Sequence, residues 1–559
     1  MLEFVLRWLK TAWNSWLAVQ VELQGQYSIQ RMRDLLAYTD TVSTLRLTFV
    51  SLFTPVPCLV LMTLIDCVPL ARPEAGTDAN YAHWSRNYFT VAFISYAILE
   101  QFATPWPACT WALGRCAAGY AMSHVIGFPL PFSLVIGTPA WASSMIALFL
   151  LNSGRKFQQS AAFRASMRNF VIVFLGQISL TLIYPAYIFG LVSVDKSMHS
   201  SFVLLLPLIK IATKNWISRF LGDLDDMKPE IVVFNIEIFN ALYVTCSMQN
   251  ASSLTTSLVL MALDLLQAWI SHRDVDEIIA EINVLMAKIP SDGHAYSGKN
   301  CVEVALLIID DDVRVRTHSS LRMTSLRSLE MVVGPTAAQM KQQVTWPSPA
   351  PSFHVAKPGT IVPSPSIPAA PPMLSFDCVK GGDQSIAKFQ RRGALHSQNG
   401  VKIFSGAQRL CFVQKCTRLL FTTEFIILIE YTEVIIPVIY SLYVFAVLRL
   451  KNREFYPQLA HLEGPELGRM MSNVFIYAVM EFVSLVVMTY VLKKKLRFDT
   501  TRQLTFVLQR QWTMVHSKIL MWFFYVVQTS LVHFGADFSF RFAWLHVGFQ
   551  APPPKPPHL

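Results

Sequence analysis

Charge is scarce in this chain. Of 559 residues, 15% are Asp, Glu, Lys or Arg, against about 25% in an ordinary soluble domain. Catalytic signatures are missing too. There is no G-x-x-x-x-G-K-[ST] phosphate loop, no G-x-S-x-G elbow, no H-E-x-x-H helix and no G-x-G-x-x-G turn. Nine cysteines include no C-x-x-C pair, which removes the usual zinc and redox spacings. Asp310-Asp311-Asp312 lacks the spaced partners and glycine of a calcium loop, and reads as a solvated charge run. His272 and His318 stand alone in polar sequence. No catalytic residue, metal site or cofactor is therefore expected. The first 22 residues have charges at Glu3, Arg7, Lys10 and Glu22, so they offer no uncharged core for a cleavable signal.

What the chain has in place of charge is long apolar runs. Hydrophobic residues make up 53% of it. A hydrocarbon core of about 30 Å is crossed by about 20 helical residues. Segments of that kind fall near Leu47–Pro69, Tyr88–Thr104, Ala108–Ile126, Pro131–Leu151, Phe170–Val192, Ser201–Phe220, Ile231–Met248 and Ser253–Ile270. Three more lie near Glu424–Leu448, Ser472–Leu492 and Ile519–Phe534. The expected fold is an all-α, polytopic transmembrane helical bundle of about eleven spans. Ile231–Met248 carries Glu237 and two Asn, so lying on the membrane is an alternative for it. Glu424–Leu448 carries three carboxylates among residues that a lipid core accepts.

The net charge of +11 fits topology better than nucleic acid. With a cytoplasmic N-terminus and alternating spans, 37 Lys and Arg fall on the cytoplasmic side and 9 opposite. That tally counts Lys210, Lys214, Arg219 and Lys228 as one cytoplasmic loop cluster. The bias is the positive-inside pattern, and Lys493-Lys494-Lys495 directly after a span marks it most sharply.

Five regions follow. Residues 1–46 are a cytoplasmic amphipathic start, where Val5, Trp8, Leu9, Ala12, Trp13 and Trp16 share a helix face suited to the membrane interface. Residues 47–271 form an eight-span block, 272–420 a cytoplasmic insert, 421–548 a three-span block and 549–559 a Pro-rich tail. Within the insert, Val275, Ile278, Ile279, Ile282, Leu285, Met286 and Ile289 repeat at helical spacing up to Pro290, predicting an extension of the preceding span. Val302–Ile309 is a short apolar run that reads as a strand. From about 334 to 400, Pro, Ser and Ala dominate, a composition expected to stay disordered. Its Pro365, Pro368 and Pro371 make overlapping P-x-x-P frames of the form that SH3- or WW-like domains dock.

Carboxylates inside the spans are the candidate site, because a charge at mid-bilayer costs about 2.5–3.5 kcal/mol on the insertion scale. Glu430 and Glu433 lie three residues apart on one face, just before Pro437, and suit a proton or cation pathway. Glu481, Asp264 and Glu237 are the next candidates. The competing reading is structural: each acid pairs with Arg115, Lys210, Lys214 or His124, or bonds a neighbouring hydroxyl. Paired prolines at Pro55/Pro57, Pro105/Pro107 and Pro129/Pro131 mark broken helices, of the kind that line cavities or merely end spans.

Two stretches, Phe234–Ile278 and the C-terminal blocks Ile429–Val444 and His533–Leu545, resemble a large family of uncharacterised multi-pass membrane proteins from oomycetes such as Phytophthora. The resemblance implies membrane location and no activity. Two functions therefore remain expected: a transporter or channel for cations or protons using the intramembrane acids, or a membrane-anchored scaffold that recruits cytosolic partners through the Pro-rich insert.

Overall fold

The computed structural model describes residues 20–100, 108–193, 205–221, 225–250, 254–289, 298–318, 403–460 and 465–536, with single residues at 202, 296 and 321. The N-terminal Trp face, Pro105 and Pro107, the Pro-rich stretch with Pro365, Pro368 and Pro371, and the tail lie outside these residues. Every regular element among the described residues is helical. The long ones are α1 (Ile29–Thr41), α2 (Thr44–Phe53), α3 (Val56–Cys67), α4 (Tyr81–Glu100), α5 (Ala108–Ile126), α6 (Thr138–Gln159), α7 (Ala161–Ser193) and α8 (Leu205–Leu221). There follow α9 (Lys228–Val232), a π-helical turn (Val233–Glu237), α10 (Ile238–Asn250), α11 (Leu254–Met286), α12 (Cys301–Asp311), α13 (Gly406–Val447), α14 (Pro465–Leu496), α15 (Thr500–Arg510) and α16 (Trp512–Thr529).

Among the described residues, five stretches are long and apolar enough to cross a membrane: Thr44–Cys67, Phe163–Tyr184, Lys228–Cys246, Gly406–Val447 and Leu467–Leu496. They fall into two kinds. The apolar windows of Lys228–Cys246 and Gly406–Val447 are 94% and 83% buried inside the protein, whereas those of the other three are 22–28% buried. The outer ones expose Phe49, Leu52, Leu175, Phe475, Phe482 and Val486. Apolar surface that broad suits hydrocarbon better than water.

Helix α13 is the axis of the bundle. It packs on α3, α10, α11, α12, α14 and α15. A capping box begins it, the Ser405 hydroxyl accepting the Gln408 N–H and the Gln408 side chain accepting the Ser405 N–H. Its 42 residues extend about 63 Å at 1.5 Å per residue, about twice a hydrocarbon thickness. Its N-terminal half therefore projects beyond the apolar zone. There it meets α1, the end of α11, α12 and α15 in a cap at the end carrying Lys493–Lys495. Exposed and half-buried pairs stitch the cap: Arg33–Asp310 (2.5 Å), Arg409–Asp312 (3.3 Å), Lys495–Asp276 (2.6 Å), Arg510–Asp34 (3.0 Å) and Lys415–Glu281. Each such pair contributes at most about 1 kcal/mol, so they mark where water begins more than they hold the helices together.

Three expectations change. Glu424–Leu448 is largely enclosed by neighbouring helices: residues 424–437 are all buried, while Leu442 and Phe445 stay exposed. Ile231–Met248 does not lie on the membrane, since Val232, Val233, Phe234, Ile236 and Phe239 are all fully buried in the core. Hydropathy reports that water is excluded, and neighbouring helices exclude it as well as lipid does. The supposed strand Val302–Ile309 is helix α12. Asn300 caps it by accepting the Glu303 N–H (2.9 Å) and donating to the Glu303 carboxylate (2.9 Å). Its buried Val302, Ala305 and Ile309 fit helical spacing, which a short apolar run does not distinguish from a strand. The extension of the preceding span is real: α11 runs unbroken to Met286, short of Pro290. Pro55 does break a helix, separating α2 from α3.

Candidate functional site

Three polar layers cross the bundle, each anchored on α13. Glu424 and Tyr443 bound them and lie 19 residues apart (443 − 424), about 28 Å along a helix. That is close to the thickness of a hydrocarbon core.

The first layer lies beneath the cap. The Arg31 guanidinium on α1 bridges Glu230 on α9 (2.5 Å) and Glu424 on α13 (2.7 Å). The Tyr27 hydroxyl donates to Glu424. Gln503 on α15 donates to the Tyr27 hydroxyl (3.0 Å) and to the Leu420 carbonyl (2.7 Å), and accepts from Thr423 (3.1 Å). Both acids are completely buried. The sequence reading missed Arg31, although a signal existed. Arg31 and Leu35 share one face of α1, with buried Ile29 and Met32 nearby and Tyr27 just before the helix, and a charge on an apolar face needs a partner.

The second layer is a ladder. Lys214 on α8 joins Glu22 (2.6 Å) to Glu237 (2.5 Å), and Lys210, one turn away, joins Glu237 (2.8 Å) to Glu433 (3.3 Å). Gln267 on α11 also accepts from Lys210 (3.1 Å). The two lysines are four residues apart, so one face of α8 presents both. Glu237 reaches them because it ends the π turn, where the extra residue swings the following side chains around the axis; such turns recur at functional sites. Pro437 has no N–H, so the Glu433 carbonyl, four residues earlier, lacks its usual helical donor.

These lysines are not loop charges, as the topology tally had counted them. They are core residues, 4% exposed each, and the sequence reading named them correctly as possible partners for the acids. Arg115 and His124, named alongside them, go elsewhere: Arg115 donates to Asn87 (3.1 Å) and His124 sits 3.4 Å from Asp78. Glu430 and Glu433 differ in the hydrogen bonds they accept. Glu433 faces Lys210, while Glu430 accepts from the Ser484 hydroxyl on α14 (2.7 Å). Glu481 is buried on α14. Asp264 lies on α11, but its side chain falls outside what is described.

The third layer closes the far end. Arg86 on α4 pairs with Asp66 on α3 (2.6 Å) and donates to Gln528 on α16 (3.0 Å). The hydroxyls of Tyr443 and Tyr456 (2.9 Å) both donate to Asp66. Asn452 fastens the end of α3 by donating to the Asp66 and Val68 carbonyls (2.8 and 2.7 Å). Just inside this layer a cavity of about 30 Å³ is lined by Cys246, Tyr440, Tyr443, Tyr456 and Val526, among others. It has room for about one water. Between it and Glu433, α13 offers Val434, Ile435, Ile436 and Ile439, all buried.

Charge does not balance across the first two layers. Among the described residues, four cations, Arg31, Lys210, Lys214 and the buried Lys228, stand with six carboxylates, Glu22, Glu230, Glu237, Glu424, Glu430 and Glu433. An unpaired buried carboxylate costs several kcal/mol, so such a cluster favours taking up positive charge.

Comparison of the chain with protein-family models, curated proteins and solved structures finds no match. The functional reading therefore rests on this geometry.

Proposed function

We propose that the chain is a polytopic integral membrane protein of about eleven spans, related to the oomycete family it resembles, and that it moves protons or other cations as a transporter or channel. The observation that carries this reading is the excess of buried carboxylates over cations beside a continuous ladder from Glu22 to Glu433. A packed scaffold has no need of that excess, whereas a conducted or coupled cation neutralises it. The ladder runs from beneath the cap to the middle of α13, and the Val434–Ile439 stretch closes the way to the far layer.

The test is flux into proteoliposomes under imposed ion and pH gradients, comparing wild type with Glu430→Gln plus Glu433→Gln. Flux that drops at least about tenfold in the double variant supports the pathway. Absence of wild-type flux under every gradient, or release of the chain from vesicles by alkaline carbonate, sinks it.

A second reading, a membrane-anchored scaffold, is favoured by one observation. The insert leaves from α12 and returns at α13, and these two are tied together by Arg409–Asp312 and by the Cys416 thiol donating to the Cys301 carbonyl (3.6 Å). Both ends of the Pro-rich segment are thus held at one point of the cap, a suitable mount for displaying Pro365, Pro368 and Pro371 to cytosolic SH3- or WW-like domains. Partners that survive deletion of residues 334–400 count against it.

A further inference from the structure

The places where a metal cation would sit in the ladder are already taken. Lys210 Nζ lies 2.8 Å from Glu237 and 3.3 Å from Glu433, and Lys214 Nζ lies 2.5 Å from Glu237 and 2.6 Å from Glu22. A second cation between the same carboxylates would stand beside an ammonium, and like charges at such short range repel strongly where water is excluded. A proton needs no such space, because it adds to a carboxylate oxygen directly.

We propose that the species this ladder carries is the proton, and that Lys210 serves as its internal cation. The inference rests on the pathway reading given above. A proton given up by hydronium at the cap side breaks its O–H bond there and forms one on Glu433, leaving water behind and making that carboxyl neutral. Its attraction for the Lys210 ammonium is lost, and Lys210, still charged, settles on Glu237 and Gln267. Loss of the proton to water on the other side restores the Lys210–Glu433 pair. The flexible four-carbon stem of lysine permits this exchange over a short distance.

The groups that face the exchange are few and can be named. Helix α8 supplies Lys210 and Lys214, the π turn supplies Glu237, and α11 supplies Gln267. Helix α13 supplies Glu433 and Glu430, with Ser484 of α14 on the latter. On α7, Tyr184 lies near Glu237 and Lys210, and its hydroxyl donates to Asn240 of α10 (3.4 Å). At the cap end, Glu22 completes the ladder and Asp274 of α11 stands near it.

The experiment uses the purified full-length chain in proteoliposomes loaded with a pH-sensitive dye. Three gradients are imposed separately: pH, sodium and potassium, with uptake of radioactive sodium and rubidium followed in parallel. Wild type is expected to pass protons down the pH gradient and to take up neither metal ion. Lys210→Gln should cut proton flux at least about tenfold, and Lys210→Arg, which keeps the charge, should retain flux within about threefold of wild type. Metal-ion uptake by the wild type at equal pH overturns the assignment to protons while leaving a cation pathway standing. Proton flux in Lys210→Gln within about twofold of wild type overturns the role of Lys210. A wild type that passes none of the three ions overturns the pathway itself. The ion-selectivity arm uses wild type alone, so it decides the proposal even where a Lys210 variant fails to fold.

Discussion

Helices α13 and α14 have similar composition and opposite surroundings. Both are long and apolar, and they pack against each other. On α13 the apolar window is 83% buried by protein, and its acids meet Arg31, Lys210 and Ser484. On α14 the window is 28% buried, with Phe475 64% and Tyr490 66% exposed. The difference teaches that a carboxylate in an apolar segment turns toward neighbouring helices: α13, which carries several, is largely enclosed, while Glu481 and Asp66 are buried on stretches that otherwise stay outside. Lipid offers a charge no partner, whereas neighbouring helices offer ammonium, guanidinium and hydroxyl groups.

The hardest blow to this contrast is a change at the centre of the first layer. Arg31→Met leaves Glu230 and Glu424 buried without their cation. Breaking a buried pair in this way costs about 3–5 kcal/mol. The expected outcome is loss of the monodisperse detergent-solubilised protein, or a large drop in its melting temperature. Adding Glu424→Gln should recover part of the loss, because Tyr27 and Gln503 can still bond an amide. An Arg31→Met protein as stable as wild type would mean that α13 is not an enclosed helix at this level.

The opposite helix gives an effect of similar kind and somewhat smaller size. Val483 is 54% exposed on α14. If lipid covers it, Val483→Arg costs about 2.5–3.5 kcal/mol in insertion, while Val483→Leu changes stability by less than about 0.5 kcal/mol. Comparing membrane-integrated yield of the two variants checks this. Equal yields for Arg and Leu would place this face against water and remove the distinction between the helices.

How far the sequence anticipated this follows from the same contrast. Among the described residues the apolar segments it marked are helical, although Leu47–Pro69 is divided between α2 and α3, because length and hydropathy suffice for helix but not for its breaks. The helical extension to Met286 was legible from its stripe and from Pro290. Glu237, Glu430 and Glu433 were legible as costly residues, and Lys210 and Lys214 as possible partners. Which acid meets which base was not, since the contacts join residues as far apart as Arg31 and Glu424, and no local period carries that information. The π turn was hidden for a related reason: one extra residue per turn leaves no mark in composition. The enclosure of α13 was hidden as well, because hydropathy cannot tell lipid from a protein core.

The smallest effect concerns α13 where it leaves the apolar zone. Asp274 sits in the cap on α11, buried to 4% exposure. Burial pushes its carboxyl up to about 6 from the usual 3.8; the nearby Glu277 and Glu22 add to the shift, while Arg273 and Arg418, the latter on α13, oppose it. Between about pH 4 and pH 6 the folded chain keeps a proton that the unfolded chain has released. Stability therefore falls as pH rises through that window, and above it the deficit is complete. A shift of about two units, discounted for solvent screening, corresponds to roughly 1–2 kcal/mol. Asp274→Asn should then melt a few degrees above wild type at pH 7.5 and match it near pH 4. A wild type whose melting temperature rises from pH 4 to pH 7 in parallel with the variant would show that the arginines, not burial, govern this carboxyl, and that the cap half of α13 is wetter than its membrane half.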